Sequence, residues 1–506
     1  TLQVYGTITG PGQINAVNGT IEMKGASGQG ISGSMFYNRT LRNLVISNNG
    51  QLAVSSVVGD SLKIGGTLGF GNSSGTLHTG DNLTLLSNAT STAAVGKLGT
   101  GNSISGKVVV ERYINTGTGV GQHGKTWEFL STPTIGQSIK ESWMEGNTPL
   151  GDTHPGYGTQ VTGPSGTTAG FDIASATTSV KYYNSATDSW TGAGNANDAV
   201  YNKKGYMVFV RGDRSVNGTT IKTAIPTTLR TKGELFTGPQ APIAVAKDKY
   251  ESVGNPYASP IDFTQISREA GIDNKFYSWD PYLYGSYGLG GYQTLSSVNN
   301  WEPVPGGTKI YPSGIPKSTI RSGQAFLVHS TGIGPASYEL TITENSKVTS
   351  NASSEIARPN GQSPSTRRQF FSVSLYSSVG QQALIADGNT VAFDRSYSNA
   401  LDGDDALKLQ NSGENFGLRR SGKILAIEAR GPVAATDTLY YNMSNLKQQA
   451  YQLRFAPGNM ESMSVSAYLS DRYLNTTTPL SLSDTSVVNI TVTSAAGSSS
   501  ADRFSV

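Results

Sequence analysis

The sequence predicts an all-β protein: a short parallel β-helix or similar solenoid over residues 1–105, then two β-sandwich-like domains, jelly-roll or immunoglobulin-like, at 106–345 and 368–506, with a linker at 346–367. Three observations predict it. Apolar residues fall in strand-length alternations, with almost nothing at helix length. Glycine supplies 61 of 506 residues and charged residues only 14%, against roughly 25% charged in an average soluble protein. Turn signals recur at short intervals along the whole chain, as short strands require.

In the first region the apolar pieces are Ile21–Met23, Leu44–Ile46, Leu52–Val54, Leu62–Ile64, Leu68–Phe70 and Leu83–Leu85. Their irregular spacing of roughly 8 to 20 residues, with turns expected at Asn18-Gly19 and Asn49-Gly50, fits rungs that each bury a face on the next. A meandering β-sandwich is the alternative. Solenoids need caps, and none is evident at Thr1-Leu2-Gln3, so further rungs are expected before Thr1. The opening also lacks an initiator Met and a basic-then-apolar leader, so a trimmed, mature chain is expected.

The second region holds all five tryptophans (Trp127, Trp143, Trp190, Trp279, Trp301), so a substantial core is expected there. Lys107–Tyr113, Tyr206–Arg211 and Gln324–His329 alternate as strands. Asp152–Gly170 reads as a long surface loop, and Gln265–Gly271 as a helical turn or two. The polar run from Asn345, with Pro359 and Pro364, reads as a linker. Beyond it, strands are expected at Phe370–Tyr376, Thr390–Phe393, Ile424–Ala429, Ala450–Phe455, Ser464–Tyr468, Val487–Val492 and Arg503–Val506, a spacing suited to a sandwich.

Composition excludes several function classes. With no cysteine there is no disulfide framework, thiol nucleophile or thiolate metal site. The 38 basic and 35 acidic residues are dispersed, leaving no footprint for nucleic acid. No apolar run reaches the roughly 18 residues that a transmembrane helix needs.

Two segments of the second region carry a family resemblance: Ile104-Ser105-Gly106-Lys107-Val108-Val109-Val110-Glu111-Arg112-Tyr113-Ile114 with Trp127-Glu128-Phe129-Leu130-Ser131-Thr132-Pro133, and Gly254-Asn255-Pro256-Tyr257-Ala258-Ser259-Pro260-Ile261-Asp262-Phe263. They resemble large secreted surface proteins of Bacteroidetes. In the third region, Ala467-Tyr468-Leu469-Ser470-Asp471-Arg472-Tyr473-Leu474 and Ser500-Ala501-Asp502-Arg503-Phe504 look like the domain preceding the C-terminal sorting domain of type IX secretion cargo. In that family the sorting domain usually follows this position and is often cleaved, so a processed or partial chain is expected to end at Val506. The resemblance implies export, surface display and contact with outer-membrane export or attachment machinery. The expected function is an extracellular adhesin or structural stalk without catalysis, contacting surface glycans or further copies of itself. A carbohydrate-active enzyme or carbohydrate-binding module is the alternative.

Candidate site residues follow from local chemistry. Trp279, Tyr282, Tyr284, Tyr287, Tyr292 and Trp301 lie in one glycine-containing segment. Such rings either stack on sugar faces or plug the end of a sandwich. Ser61 and Thr438 each follow an Asp and precede an aliphatic residue, the pattern on which proteins resembling this one carry O-linked glycans. Asp402, Asp404 and Asp405 are hard oxygen donors beside Gly403 and admit a calcium site; the incomplete ligand run favours a solvated turn, and no other cofactor is implied. Arg211-Gly212-Asp213 is an integrin-type tripeptide that reads as a strand-end turn. The four histidines, His78, His123, His154 and His329, have no metal spacing and read as polar surface residues. Along the solenoid the acidic residues are Glu22, Asp60 and Asp81, too sparse for a polysaccharide-cleaving groove.

Overall fold

The computed structural model describes residues 1–72, 74–146, 154–200, 203–216, 223–306, 315–348, 368–379 and 382–506. It is all-β, 45% strand and 4% helix, the helix being isolated 3-10 turns. The chain folds as two compact units, Thr1–Ile272 with Ile310–Arg358, and Asp273–Lys309 with Pro359–Val506.

The first unit begins as a β-solenoid of about four turns. Strands β1 (Leu2–Val4), β2 (Ile14–Met23), β3 (Gln29–Ile31), β4 (Phe36–Ile46), β5 (Gln51–Val54), β6 (Leu62–Ile64), β7 (Thr67–Phe70), β8 (Thr76–His78), β9 (Leu83–Leu85), β10 (Ala94–Val95), β11 (Ser103–Ser105) and β12 (Lys107–Ile114) build it. They stack in parallel so that like sits on like. Ile21 pairs with Leu44 and Leu44 with Leu68; on a second sheet Leu52 pairs with Leu77 and Leu77 with Ile104. Ile21, Leu44, Leu52, Leu68 and Leu77 are all buried in one continuous core. Burying each aliphatic side chain contributes about 1.5–3 kcal/mol, and stacking rungs is how so thin an element gains a core.

Polar stacking runs beside the apolar one. Asn72 Nδ2 donates to the Asn48 carbonyl at 2.7 Å and Asn102 Nδ2 to the Asn72 carbonyl at 3.0 Å. Asn49-Gly50 turns as expected. Asn18-Gly19 does not: it lies inside β2, where the register with β4 shifts between Ala16 and Thr20. A bulge absorbs the residues that the sequence offered as a turn.

The boundary expected at residue 105 falls within a continuous sheet. β12 pairs in parallel with β9 and, on its other edge, antiparallel with Thr227–Leu235. The following layers therefore close the solenoid's sheet edge. A second lock is the turn Gly254–Pro260. Buried Asn255 donates to the carbonyls of Ser259, Ile320 and Arg321 and accepts from Tyr257 N, while Ser259 Oγ donates to the Val95 carbonyl on the solenoid. Glu344 accepts from the amides of Leu98 and Gly238, both at 2.9 Å, and pairs with Lys347.

Three other expectations need correction in this unit. The proposed surface loop 152–170 is partly interior: Thr159, Gln160 and Val161 are buried, drawn in because Asp172 accepts from Val161 N and pairs with buried Arg214. In place of a helix at 265–271 there is one 3-10 turn, Phe263–Gln265, capped by Asp262, and then the strand Ser267–Arg268. The linker starts late. Ser346 and Lys347 are buried, and 349–367 lies outside the described residues.

The second unit is built on one sheet running from Tyr441–Ser444 through Asn415–Arg420, Lys423–Arg430, Gln382–Phe393, Gln369–Val379 and Ala450–Gly458 to Ser486–Thr491, and a half-barrel sheet is part of the fold. Phe371, Val373, Leu375, Phe416, Leu453 and Phe455 fill its core. Ala467–Asp471, which lies beyond the expected Ser464 start, pairs with Thr476–Leu480 and with Phe504–Ser505. The aromatic segment Asp273–Lys309, placed by sequence spacing in the middle region, belongs to this unit.

Candidate functional site

The aromatic segment is a hairpin, Lys275–Asp280 with Gly291–Ser296. Trp279 and Tyr292 are buried and meet edge to face at 4.8 Å. Trp301 stacks on Phe276 at 6.1 Å, and Tyr287 lies under the Lys447 ammonium at 4.1 Å. Polar groups of the same unit hold the loop: Tyr292 N donates to Asn411, Ser286 N to Glu414, and Tyr287 Oη to the Asn445 carbonyl. Tyr282, Tyr284, Tyr287 and Trp301 are half-buried, with burial pushing the Tyr284 phenol up to about 12. The rings are distributed among separate packing contacts.

The three aspartates do not converge. Asp405 is buried and accepts from the amides of Asp402 and Ala429, while Asp402 accepts from Asp404 N. Among the described residues no cluster of three or more His, Asp or Glu side chains could hold a metal ion. The calcium reading gives way to a hydrogen-bonded turn. Asp213 of the Arg-Gly-Asp turn is buried, accepting from Gly156 N and Ser215 N, and Arg211 donates to the Gln160 carbonyl. The surface assignment fails for His123, which is buried beside Glu128 at 3.2 Å. Thr438 is exposed, whereas Ser61 is half-buried with its hydroxyl against Thr84.

The sequence did not announce the cleft of about 460 Å³ in the first unit. Three strands shape it: Val180–Asn184, hairpinned to Ser189–Gly192, Ile243–Ala246, and Tyr250–Gly254. Tyr182, Asn184, Ser185, Lys203, Pro242 and Ile243 line it, together with Glu251 and Lys204, whose charge acts on the Glu251 carboxyl. The lysines are held there by their backbone. Gly254 N donates to the Lys203 carbonyl, and Gly205 exchanges hydrogen bonds with Ser252 Oγ. A Cβ at Gly205 would fall 2.4 Å from Phe129 Cε2, so glycine alone permits this approach.

Glu251 accepts from Ser185 Oγ at 2.5 Å and from Ser252 N at 3.1 Å. Burial raises its carboxyl above the usual range, against the opposing pull of those donors and of Lys204. Lys203 Nζ donates to the Ala241 carbonyl at 3.2 Å, and Lys204 is exposed. Tyr183, which also lines the cleft, packs edge to face on Trp190 at 5.3 Å, which fixes the hairpin that presents Tyr182. The cleft thus combines aromatic and apolar surface, two lysines and an acceptor oriented by Ser185 and Ser252. Its residues lie far apart in the sequence; the only local signal is Lys-Lys-Gly at 203–205.

Fold and cleft together define a solenoid-bearing all-β protein with a cleft lined by aromatic, apolar and charged residues. The sequence model of a family described as a domain of unknown function (DUF8693) matches residues 160–506, and the chain belongs to that family. No curated protein and no solved structure matches it.

Proposed function

We propose that the chain is an extracellular cell-surface adhesin or structural stalk, exported by a type IX-like route and working by binding and bearing load. The observation that carries this reading is the unbroken sheet from the solenoid, through β12, into the folded body that holds the cleft. Each rung is hydrogen-bonded to the next along its strands, so tension is shared across many bonds. Buried ion pairs take the place of disulfides: Arg214–Asp172 and Arg503–Asp471, each with its closest contact at 2.7 Å, and Lys408–Asp387 at 2.6 Å. Accessibility favours Thr438 over Ser61 as a glycan acceptor.

A carbohydrate-active enzyme would meet its substrate in the same cleft. Glycoside hydrolysis uses two carboxyl groups, roughly 5–9.5 Å apart, and Glu251 is the one carboxylate among the described lining residues. That supports recognition over cleavage. Protease treatment of intact cells tests the main reading. The chain is expected to be digested while a cytoplasmic marker survives, and cells lacking the chain are expected to adhere less to polysaccharide-coated surfaces. Digestion only after lysis overturns it.

A further inference from the structure

We infer that the cleft of the first unit recognises an acidic sugar, a uronic acid residue of an extracellular polysaccharide. The inference rests on the adhesin reading and names the ligand class for it. A uronic acid presents three kinds of surface: an apolar C–H face, a rim of hydroxyls, and one carboxylate. The cleft has a counterpart for each. Tyr182, 38% exposed, and Pro242, Ile243 and Ala244 line the cleft and supply aromatic and apolar surface for the C–H face. Asn184, Ser185 and Glu251 supply donors and acceptors for hydroxyls. Lys203 and Lys204 supply two positive charges, against the single Glu251 carboxyl, itself hydrogen-bonded to Ser185 and Ser252.

Size and rigidity agree. The cleft's volume of about 460 Å³ lies within the roughly 300–1,000 Å³ of small-ligand sites. The lysines' backbone is pinned by Gly254 N and Ser252, and Tyr182 stands on a strand paired on both sides, with Thr191 and with Tyr206. A fixed main chain keeps the roots of both lysines and of Tyr182 at the cleft, while the ammonium stems stay free to adjust to the ligand. A bare phosphate or sulfate would use the lysines and leave the tyrosine and apolar surface uncovered, so the arrangement favours a ring carrying the anion.

The test is calorimetric titration of the full chain with hexagalacturonate, its neutral methyl ester, and inorganic sulfate. Hexagalacturonate is expected to bind, and the ester about tenfold or more weaker, because charge-assisted hydrogen bonds to the lysines are lost. A Lys203→Ala/Lys204→Ala double variant, checked for an unchanged melting temperature, is expected to show the same loss for hexagalacturonate and little further loss for the ester. Tyr182→Ala is expected to weaken both oligosaccharides. The inference is overturned if hexagalacturonate does not bind, if the ester binds equally, if the folded double variant binds unchanged, or if sulfate binds as tightly as the oligosaccharide. Because purified protein is used, a failure here leaves surface display standing, and binding by a chain found inside the cell would sink only the display reading.

Discussion

Arg214 and Asp172 show how this cysteine-free chain spends its charges. Both side chains are fully buried, with guanidinium nitrogens 2.7 and 3.3 Å from the two carboxylate oxygens. Removing one partner strands the other without water. Arg214→Ala is therefore expected to cost about 3–5 kcal/mol, read as a drop in the denaturant midpoint; a loss below about 1 kcal/mol would show that the pair is not sealed from solvent. Glu111 carries the opposite kind of charge problem. It is buried on β12 and accepts from Ser87 N at 3.1 Å, and burial raises its carboxyl above the ordinary 4.5. A raised carboxyl binds its proton more tightly folded than unfolded, so its contribution is full below 4.5 and is lost as pH rises through the folded value. Glu111→Gln keeps an acceptor for Ser87 and removes the titration. Melting curves from pH 4.5 to 8 should fall less steeply for the variant than for wild type; parallel curves would contradict the assignment.

At the scale of elements, the solenoid turns on close backbone approach. A Cβ at Gly50 would lie 2.6 Å from Gly28 N and 2.7 Å from the Ser27 carbonyl carbon, on the neighbouring rung. Backbone cannot swing aside as a side chain does. Gly50→Ala is expected to destabilise the solenoid by about 1–3 kcal/mol, with faster hydrogen exchange concentrated at β3 and β5; uniform exchange rates would argue against rung-on-rung contact. The solenoid was legible because its apolar pieces, such as Ile21–Met23 and Leu44–Ile46, show period-2 burial inside strand-length windows. Its rung length was not. Stacked partners such as Asn43 and Thr67 are 24 residues apart, but each rung contains several short strands, so local spacing reports fractions of a turn. The cleft stayed hidden for a related reason: Tyr182, Lys204 and Glu251 converge only through pairing between distant strands. Burial of Thr159–Val161 was equally invisible, because it depends on Arg214, remote in sequence.

At the scale of the molecule, the first unit should behave as one body with its solenoid. A fragment of residues 1–105 would lose β12 and, with it, the register Val108–Leu83 and Val110–Leu85. It is expected to aggregate and to lack a cooperative melt, because the uncovered β9 edge offers unpaired backbone groups. A monomeric, cooperatively melting fragment would restore the domain boundary that the sequence suggested.

Neither unit is a single stretch of chain: the first resumes at Ile310 after the second has contributed Asp273–Lys309. This interleaving imposes an order in time. When the first 272 residues have emerged, the unit they belong to still lacks the strands Ala325–His329 and Ser337–Thr341, which pair with Tyr250–Gly254 and Ile243–Ala246. Closure of the first unit therefore waits until the strand Ser337–Thr341 has been made.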